Sequence, residues 1–405
     1  MVNLIMQVYL AIAKHYYLNI LLNILIRTVL IPFILILGAY HIFRYWRLYI
    51  LSKINKKKVV IFSYSTLSEY RFNQELLKNL KTYNNIKVVI FSGFYKIKIR
   101  DLKKRFHLYE IFPFGIMPLV KADLFLTTKS SLLWNRPFCT KKVHFFHSPV
   151  SIHMFPEYTF DFFNIFFVNG PHQKNELNIL LPKRGKKCYK IFEIGSEVID
   201  SIAINSLNIK PNDKVETIIF APTLGNNSSL VLFGENIINT VLNLNLKLIF
   251  RPSPSSIYTH KSLIDNIVNT FKTNPNFIYD DCSGSIFENS SIDLLITDWS
   301  GISFEFALGC LKPILFIDTP SKILDFNKNW NNYFEKKGVE FEYRDKIGRR
   351  VANIDEIPAT IDYISENYSI LSKQIENYRN DLIFNICKSH EYSLNAVLEL
   401  LKIKK

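Results

Sequence analysis

The chain has only five cysteines in 405 residues, Cys139, Cys188, Cys282, Cys310 and Cys387, and no two of them form a C-x-x-C pair. An odd count without ligand spacing supports neither a disulfide framework nor a zinc site, so each reads as a small core residue in a reducing setting. Three motifs are also missing. There is no Walker loop, no G-x-G-x-x-G turn and no G-x-S-x-G elbow, which removes the familiar phosphate cradles and the serine-hydrolase corner. No D-x-D follows a strand to hold a divalent metal on a diphosphate; Asp280-Asp281 comes nearest and reads as a turn. There is no internal repeat, and no low-complexity tract beyond one lysine cluster.

Acidic residues are outnumbered, 35 against 50 Lys and Arg, giving a formal net charge of +15. The basic residues are scattered, with no zinc-finger spacing, RNP-like strand or long basic helix, so nucleic acid is not the expected partner. An anionic membrane surface or an anionic substrate fits better. With 48% apolar and 21% charged residues the chain can bury a sizeable core, and its length implies two domains.

Residues 17–43 form an apolar stretch long enough to span a bilayer, interrupted by Arg27 and Pro32. Arg44, Arg47, Lys53, Lys56, Lys57 and Lys58 follow it, the flank expected on the cytoplasmic side of a membrane. No A-x-A-like cleavage site follows, so a signal peptide is not expected. Residues 1–52 are therefore expected to anchor the protein at the membrane, as a spanning helix or as one lying in the interface, with a soluble core helix as the competing reading.

From Val59 short apolar strands alternate with helical stretches, the pattern of βαβ units and a parallel sheet. Strands are expected at Val59–Ser63, Lys87–Phe91, Leu124–Thr127, Val143–His147, Ile165–Asn169 and Ile191–Gly195, with helices at Leu67–Tyr83 and Pro171–Leu181. A polar turn at Ser206–Lys214 marks a boundary. A second series begins after it, with strands at Thr217–Phe220, Leu246–Phe250, Phe277–Tyr279, Ile292–Thr297 and Ile314–Ile317. Helices are expected at Leu230–Leu242, Lys261–Phe271, Ser303–Leu308 and Ser321–Asn327, the third closed by Gly309, and two more in the tail after Ile354. The expected domains are 53–210 and 211–353, followed by C-terminal helices at 354–405. Two α/β domains of this kind face each other across a cleft at the C-terminal ends of their strands.

Four strand-end loops carry the chemistry. At Thr297-Asp298-Trp299-Ser300-Gly301 an apolar strand turns into a helix, whose free N–H groups make a ready phosphate site, with Asp298 and Glu305 close enough to contact its bearer. The loop His147-Ser148-Pro149-Val150-Ser151-Ile152-His153 puts an imidazole at the cleft, able to take a proton from an alcohol. His144 reads as a structural histidine, and the 144/147/153 spacing is not that of a metal site. Ala221-Pro222-Thr223 suits a ligand-facing loop or a plain turn. Arg251-Pro252-Ser253 offers a planar fork to phosphate oxygens.

Taken in order, these loops resemble the CDP-glycerol glycerophosphotransferase family. The counterparts of its motifs are Phe146-His147-Ser148, Ala221-Pro222-Thr223, Arg251-Pro252 and Ile296-Thr297-Asp298-Trp299-Ser300-Gly301, then Phe304-Glu305. The chain departs from the pattern where Ser148 replaces glycine, Ile152 and His153 stand where a lysine is expected, and Arg251 replaces a histidine. Ser300-Gly301 replaces Ser-Ser, and Glu305 replaces aspartate. The resemblance implies a GT-B architecture and transfer of a polyol-phosphate unit from a CDP-activated donor to a glycan or lipid-linked acceptor, with release of CMP. It implies His147 as base, Arg251 with the N–H groups of Ser300 and Gly301 on the pyrophosphate, Thr223 beside it and Glu305 on the ribose. Asp298 would orient a neighbour, and Ser148 and Ser253 complete the expected substrate contacts. No cofactor and no metal are expected, and the work is placed on the cytoplasmic side of the cell membrane. A GT-B glycosyltransferase using a nucleotide sugar and a non-catalytic membrane-tethered binding protein are the competing readings.

Overall fold

The apolar runs become strands buried on both faces. The computed structural model describes residues 31–64, 67–92, 109–128, 136–206, 214–281, 292–320, 333–334 and 338–404. Helix α1 (Ile31–Ile54) leads into β1 (Lys58–Tyr64), a 3-10 segment at Leu67–Asn73, α2 (Gln74–Lys81), β2 (Ile86–Ser92), β3 (Glu110–Pro113), β4 (Leu124–Thr127), β5 (Lys142–Phe145), β6 (Ile165–Val168), α3 (Pro171–Lys183), β7 (Lys190–Glu193) and α4 (Glu197–Ser206). All these strands pair in parallel, in the order β3-β2-β1-β4-β5-β6-β7. Successive residues of β1 serve opposite layers: Val60 and Phe62 face one core, Val59 and Ile61 the other.

The second domain holds β8 (Thr217–Phe220), α5 (Ser229–Asn243), β9 (Lys247–Phe250), a helical turn at Ser256–Thr259, α6 (Lys261–Phe271), β10 (Phe277–Tyr279), β11 (Leu294–Thr297), α7 (Ile302–Cys310), β12 (Ile314–Ile317), α8 (Val339–Glu342), α9 (Arg344–Ile347) and β13 (Gly348–Val351). Its parallel sheet runs β10-β9-β8-β11-β12-β13. The tail contains α10 (Ile357–Glu366), α11 (Tyr368–Leu382) and α12 (Ser389–Leu401), three helices where two were expected, because the chain breaks at Asn367. α12 returns to the first domain, where Ala396, Val397 and Leu398 join the core of β1 and β4. On the way the chain grazes Gly170 and Gly195, where an added Cβ would stand 1.8 Å and 2.2 Å from the carbonyl oxygens of Leu382 and Phe384.

Every expected strand forms, with small shifts at its ends. The two edge strands β3 and β13 were missed, because Glu-Ile-Phe-Pro and Gly-Arg-Arg-Val are half exposed and lack an apolar run. Gly309 does not close α7. Leu311 does, in the left-handed region at φ 57°, while Gly309 lets α7 pack on α4: a Cβ there would come within 2.5 Å of Ile202 Cγ2. The helix expected at Ser321–Asn327 lies outside the described residues.

The second half of α1 is docked on the first domain. Tyr45 is fully buried and donates its hydroxyl to Lys121 O at 2.6 Å; Trp46 Nε1 donates to Leu119 O at 3.2 Å. Arg44 pairs with Glu110 and lies over the Phe112 ring, and Lys53 pairs with Asp123. The end of the 1–52 segment therefore contributes to the first domain's core as well as flanking it. Among the described residues no helix is long and apolar enough to cross a membrane. Residues 17–30 of the apolar stretch lie outside the described residues.

Candidate active site

In the second sheet β8 and β11 are neighbours whose onward connections run to opposite sides, which opens a crevice beyond their C-terminal ends. Ala221-Pro222-Thr223 leaves β8 into this crevice, and the Asp298–Gly301 corner leaves β11. Asp298 holds the two together. Its Oδ1 accepts from the N–H of Thr223 at 2.8 Å and of Trp299 at 2.7 Å; its Oδ2 accepts from the N–H and hydroxyl of Ser229 at 2.7 and 2.8 Å. The carboxylate is buried and engaged at both oxygens by protein groups, so Asp298 orients the loop after β8 and the start of α5.

Arg251 leaves β9 and is mostly buried. Its Nη1 contacts Asp280 Oδ2 at 2.6 Å, at the end of the adjacent β10. Asp280, read as part of a turn, thus orients the guanidinium. Ser253 spends its hydroxyl locally, bonding Ser256 Oγ at 2.8 Å and accepting from Ser256 N at 3.2 Å, which fixes the turn at Ser256–Thr259.

The opposite wall comes from the first domain. The loop after β5 is pinned by α3, since Gln173 Nε2 donates to the carbonyls of Ser148 and Val150 at 2.8 and 2.9 Å. This sets His147 between the rings of Phe72 and Phe155, at centroid distances of 5.1 and 6.0 Å. Burial, helped by the Arg71 charge, pushes its pKa down to about 4, so the imidazole is neutral at pH 7 and free to accept a proton. His144 points the other way, fully buried among Phe146, Phe155, Phe160 and Phe163, and burial pushes its pKa down to about 3. Both its ring nitrogens lack a partner, so it is a core residue without the hydrogen bonds a structural histidine normally has. His153 packs on Phe334. Among the described residues no group of three His, Cys, Asp or Glu side chains is placed to hold a metal ion.

The walls meet around a cavity of about 930 Å³ that brings together His147, Ser148, Thr223, Arg251, Ser253, Asp298, Ser300, Gly301 and Glu305. A Cβ on Gly301 would stand 3.4 Å from Ser148 Oγ, so the N-terminus of α7 and the His147 loop are in contact across the cleft. Three lining residues escaped the sequence reading. Arg71, from the 3-10 segment after β1, donates Nη2 to Glu305 Oε1 at 2.9 Å. Glu340, from α8, accepts at Oε2 from Ser151 N at 3.2 Å. Arg344, from α9, lines the same cavity. Buried polar atoms rarely go without partners. Here His147 Nδ1, Ser148 Oγ, Glu305 Oε2, Glu340 Oε1 and Arg344 Nε and Nη2 all do, on residues of one cavity. That concentration marks a site shaped for a polar ligand.

The family described as CDP-Glycerol:Poly(glycerophosphate) glycerophosphotransferase matches residues 194–386. No curated protein sequence matches the chain. Among solved structures, S. aureus MnaA with UDP is similar at TM-score 0.58 and 13% identity, covering 86% of this chain and 98% of its own. The Methanocaldococcus jannaschii UDP-GlcNAc 2-epimerase in complex with UDP-GlcNAc and UDP follows at 0.57 and 14%, covering 84% and 99%. The wall teichoic acid polymerase TagF, a variant soaked with CDPG, gives 0.51 and 12%, covering 91% and 98%. At these identities the likeness is one of fold: two Rossmann-like parallel-sheet domains in a GT-B-like arrangement.

Proposed function

We propose, from the premise that the chain belongs to the CDP-glycerol glycerophosphotransferase family as a divergent transferase, that it moves a glycerophosphate-type unit from a CDP-activated polyol to an acceptor hydroxyl. The observation that carries this reading is the contact between the His147–Ser148 loop and the Gly301 end of α7, which sets a neutral imidazole against a phosphate-ready helix end.

His147 takes the proton of the acceptor hydroxyl. The oxygen attacks the distal phosphorus of the donor and forms a new P–O bond; the bond to the bridging oxygen breaks, and CMP leaves with the electron pair. Arg251, oriented by Asp280, and the N–H groups of Ser300 and Gly301 stabilise charge on the diphosphate. Ser300 and Gly301 lie at the leading end of α7, where N–H groups have no carbonyl a full turn earlier to bond, so they are available for this. Thr223, held by Asp298, lines the phosphate loop, and Glu305 Oε2 is left to accept from the ribose hydroxyls.

The acceptor is a cell-surface glycan or lipid-linked carrier, and the protein works at the cytoplasmic face of the membrane. Two features at α1 support the membrane contact in this reading. Ile36, Tyr40, Phe43, Ile50 and Ile54 are exposed at helical spacing along α1, and Arg47 and Lys56 are exposed beside them.

The test is product analysis by mass spectrometry, with purified protein, lipid-linked acceptors and a panel of CDP-glycerol, CDP-ribitol and UDP-GlcNAc. Mass gain by a polyol-phosphate unit with release of CMP is the expected result. Transfer of a sugar alone, or binding of none of the donors, would overturn it.

A further inference from the structure

We propose that Arg344 is a phosphate-binding residue of the cleft, presenting the side-on edge of its guanidinium to two oxygens of a phosphate or phosphodiester. The inference rests on the reading of this cavity as the transfer site, and goes beyond the residues that the loop motifs mark.

Arg344 opens α9 and lines the cavity beside Trp299 and Ser300. Its side chain is only 5% exposed. The guanidinium lies over the rings of Trp299 and Phe316, at 4.2 and 4.7 Å from their centroids, which fixes the plane of the fork. Nη1 reaches Asp318 Oδ1 at 3.2 Å. That carboxylate is already shared, because Arg350 donates Nε and Nη2 to its two oxygens at 3.1 and 2.8 Å. Arg350 also reaches Asp345 Oδ2 at 3.6 Å, so these carboxylates serve Arg350 and the Nη1 side of Arg344. No neighbouring carboxylate is bonded to the other edge of the Arg344 guanidinium: Asp298 accepts four hydrogen bonds from other groups, and Glu340 Oε2 accepts from Ser151 N.

The unpartnered atoms are Nε and Nη2. These two carry the parallel N–H groups of the guanidinium's side-on edge, the edge that binds carboxylate or phosphate in bidentate fashion. A buried cation with that edge empty is costly in the free protein, and a bound oxyanion relieves the cost. Both the diphosphate of the donor and a phosphodiester at the end of the acceptor carry the required chemistry.

The experiment titrates inorganic pyrophosphate, CDP, CDP-glycerol and cytidine into the full chain by calorimetry, as wild type, Arg344→Gln, Arg344→Lys and Asp318→Asn. Arg344→Gln should lose at least tenfold in affinity for pyrophosphate, CDP and CDP-glycerol but not for cytidine. Arg344→Lys should fall between, because a point charge lacks the fork. Asp318→Asn should bind as wild type or tighter, whereas a merely structural pair would make it fail like Arg344→Gln. If donor affinities hold and the acceptor KM rises tenfold instead, the phosphate is the acceptor's. Unchanged pyrophosphate, CDP and donor affinity with unchanged acceptor KM, in an Arg344→Gln protein that melts cooperatively, overturns the proposal. Should that variant not fold, the same result from Arg344→Lys overturns it. Pyrophosphate carries neither polyol nor sugar, so this arm stands even if the donor proves to be a nucleotide sugar.

Discussion

Arg71 and Glu305 lie 234 residues apart and belong to different domains, yet Arg71 Nη2 donates to Glu305 Oε1 at 2.9 Å across the cleft. The carboxylate is buried, and its second oxygen has no partner. Burial raises its pKa, while Arg71 and, more weakly, Arg251 hold it down. Glu305→Ala should weaken cytidine-nucleotide binding by about 1–3 kcal/mol, the scale of a hydrogen bond to a charged group. Arg71→Ala removes the main charge opposing burial, so the Glu305 pKa rises further. Its carboxylate is then protonated at a higher pH, and on acidification nucleotide affinity in that variant should begin to fall at a higher pH than in wild type. Parallel pH series of calorimetric titrations would show this, and identical pH dependences would remove Arg71 from the account.

This pair also shows where reading the sequence stops. The Asp298–Gly301 corner was legible because an apolar strand breaks and resumes at helical spacing, a local pattern. His147 and Arg251 were legible as polar residues closing apolar strands. Arg71, Glu340 and Arg344 sit in a 3-10 segment and two four-residue helices, too short to show any periodicity. Their significance arises only when the two sheets face each other. Asp298 was legible as important, but its hydrogen bonds decide its part: they hold protein groups.

His147 should set the acid limb of the pH–rate profile. Its pKa is pushed down to about 4, first by burial and then by Arg71. A base must be unprotonated to act, so log kcat/KM should stay level through pH 6 and fall only as pH approaches about 4, well below the 6.5 of an unperturbed imidazole. In Arg71→Ala one depressing charge is gone, and the limb should move toward higher pH. His147→Ala should cut turnover about 10²–10⁴-fold with donor affinity nearly intact. A wild-type limb at pH 6.5, or near-normal transfer by His147→Ala, would assign the base elsewhere.

Asp298→Ala should act on folding as well as on catalysis. Four donors lose their acceptor at once, two of them at Ser229, where α5 begins. Hydrogen bonds to a charged group contribute about 1.5–3 kcal/mol each and do not add simply, so a loss of more than about 3 kcal/mol is expected in denaturant unfolding. Asp298→Asn keeps the shape but turns one acceptor into a donor that faces N–H groups, and should recover little. Full stability in Asp298→Ala with loss of turnover would return the residue to direct contact with substrate.

α1 should prove to have two separable faces. Its inner face carries Tyr45, which is fully buried with its hydroxyl on Lys121 O, together with Ile42, Leu48 and Tyr49 packed against the first domain. Tyr45→Ala should cost about 3–5 kcal/mol, as large aromatic truncations in cores do. A chain beginning at residue 55 should melt below the wild type. The outer face carries Ile36, Phe43 and Ile50, which touch solvent. Replacing these three by serine should leave the melting temperature within a degree or two, roughly the scale of surface substitutions. The same triple variant should pellet less with anionic phospholipid vesicles, and the binding that remains should weaken as salt rises, because only the basic residues then hold it. Equal vesicle binding by wild type and triple variant would separate this face of α1 from any contact with a membrane.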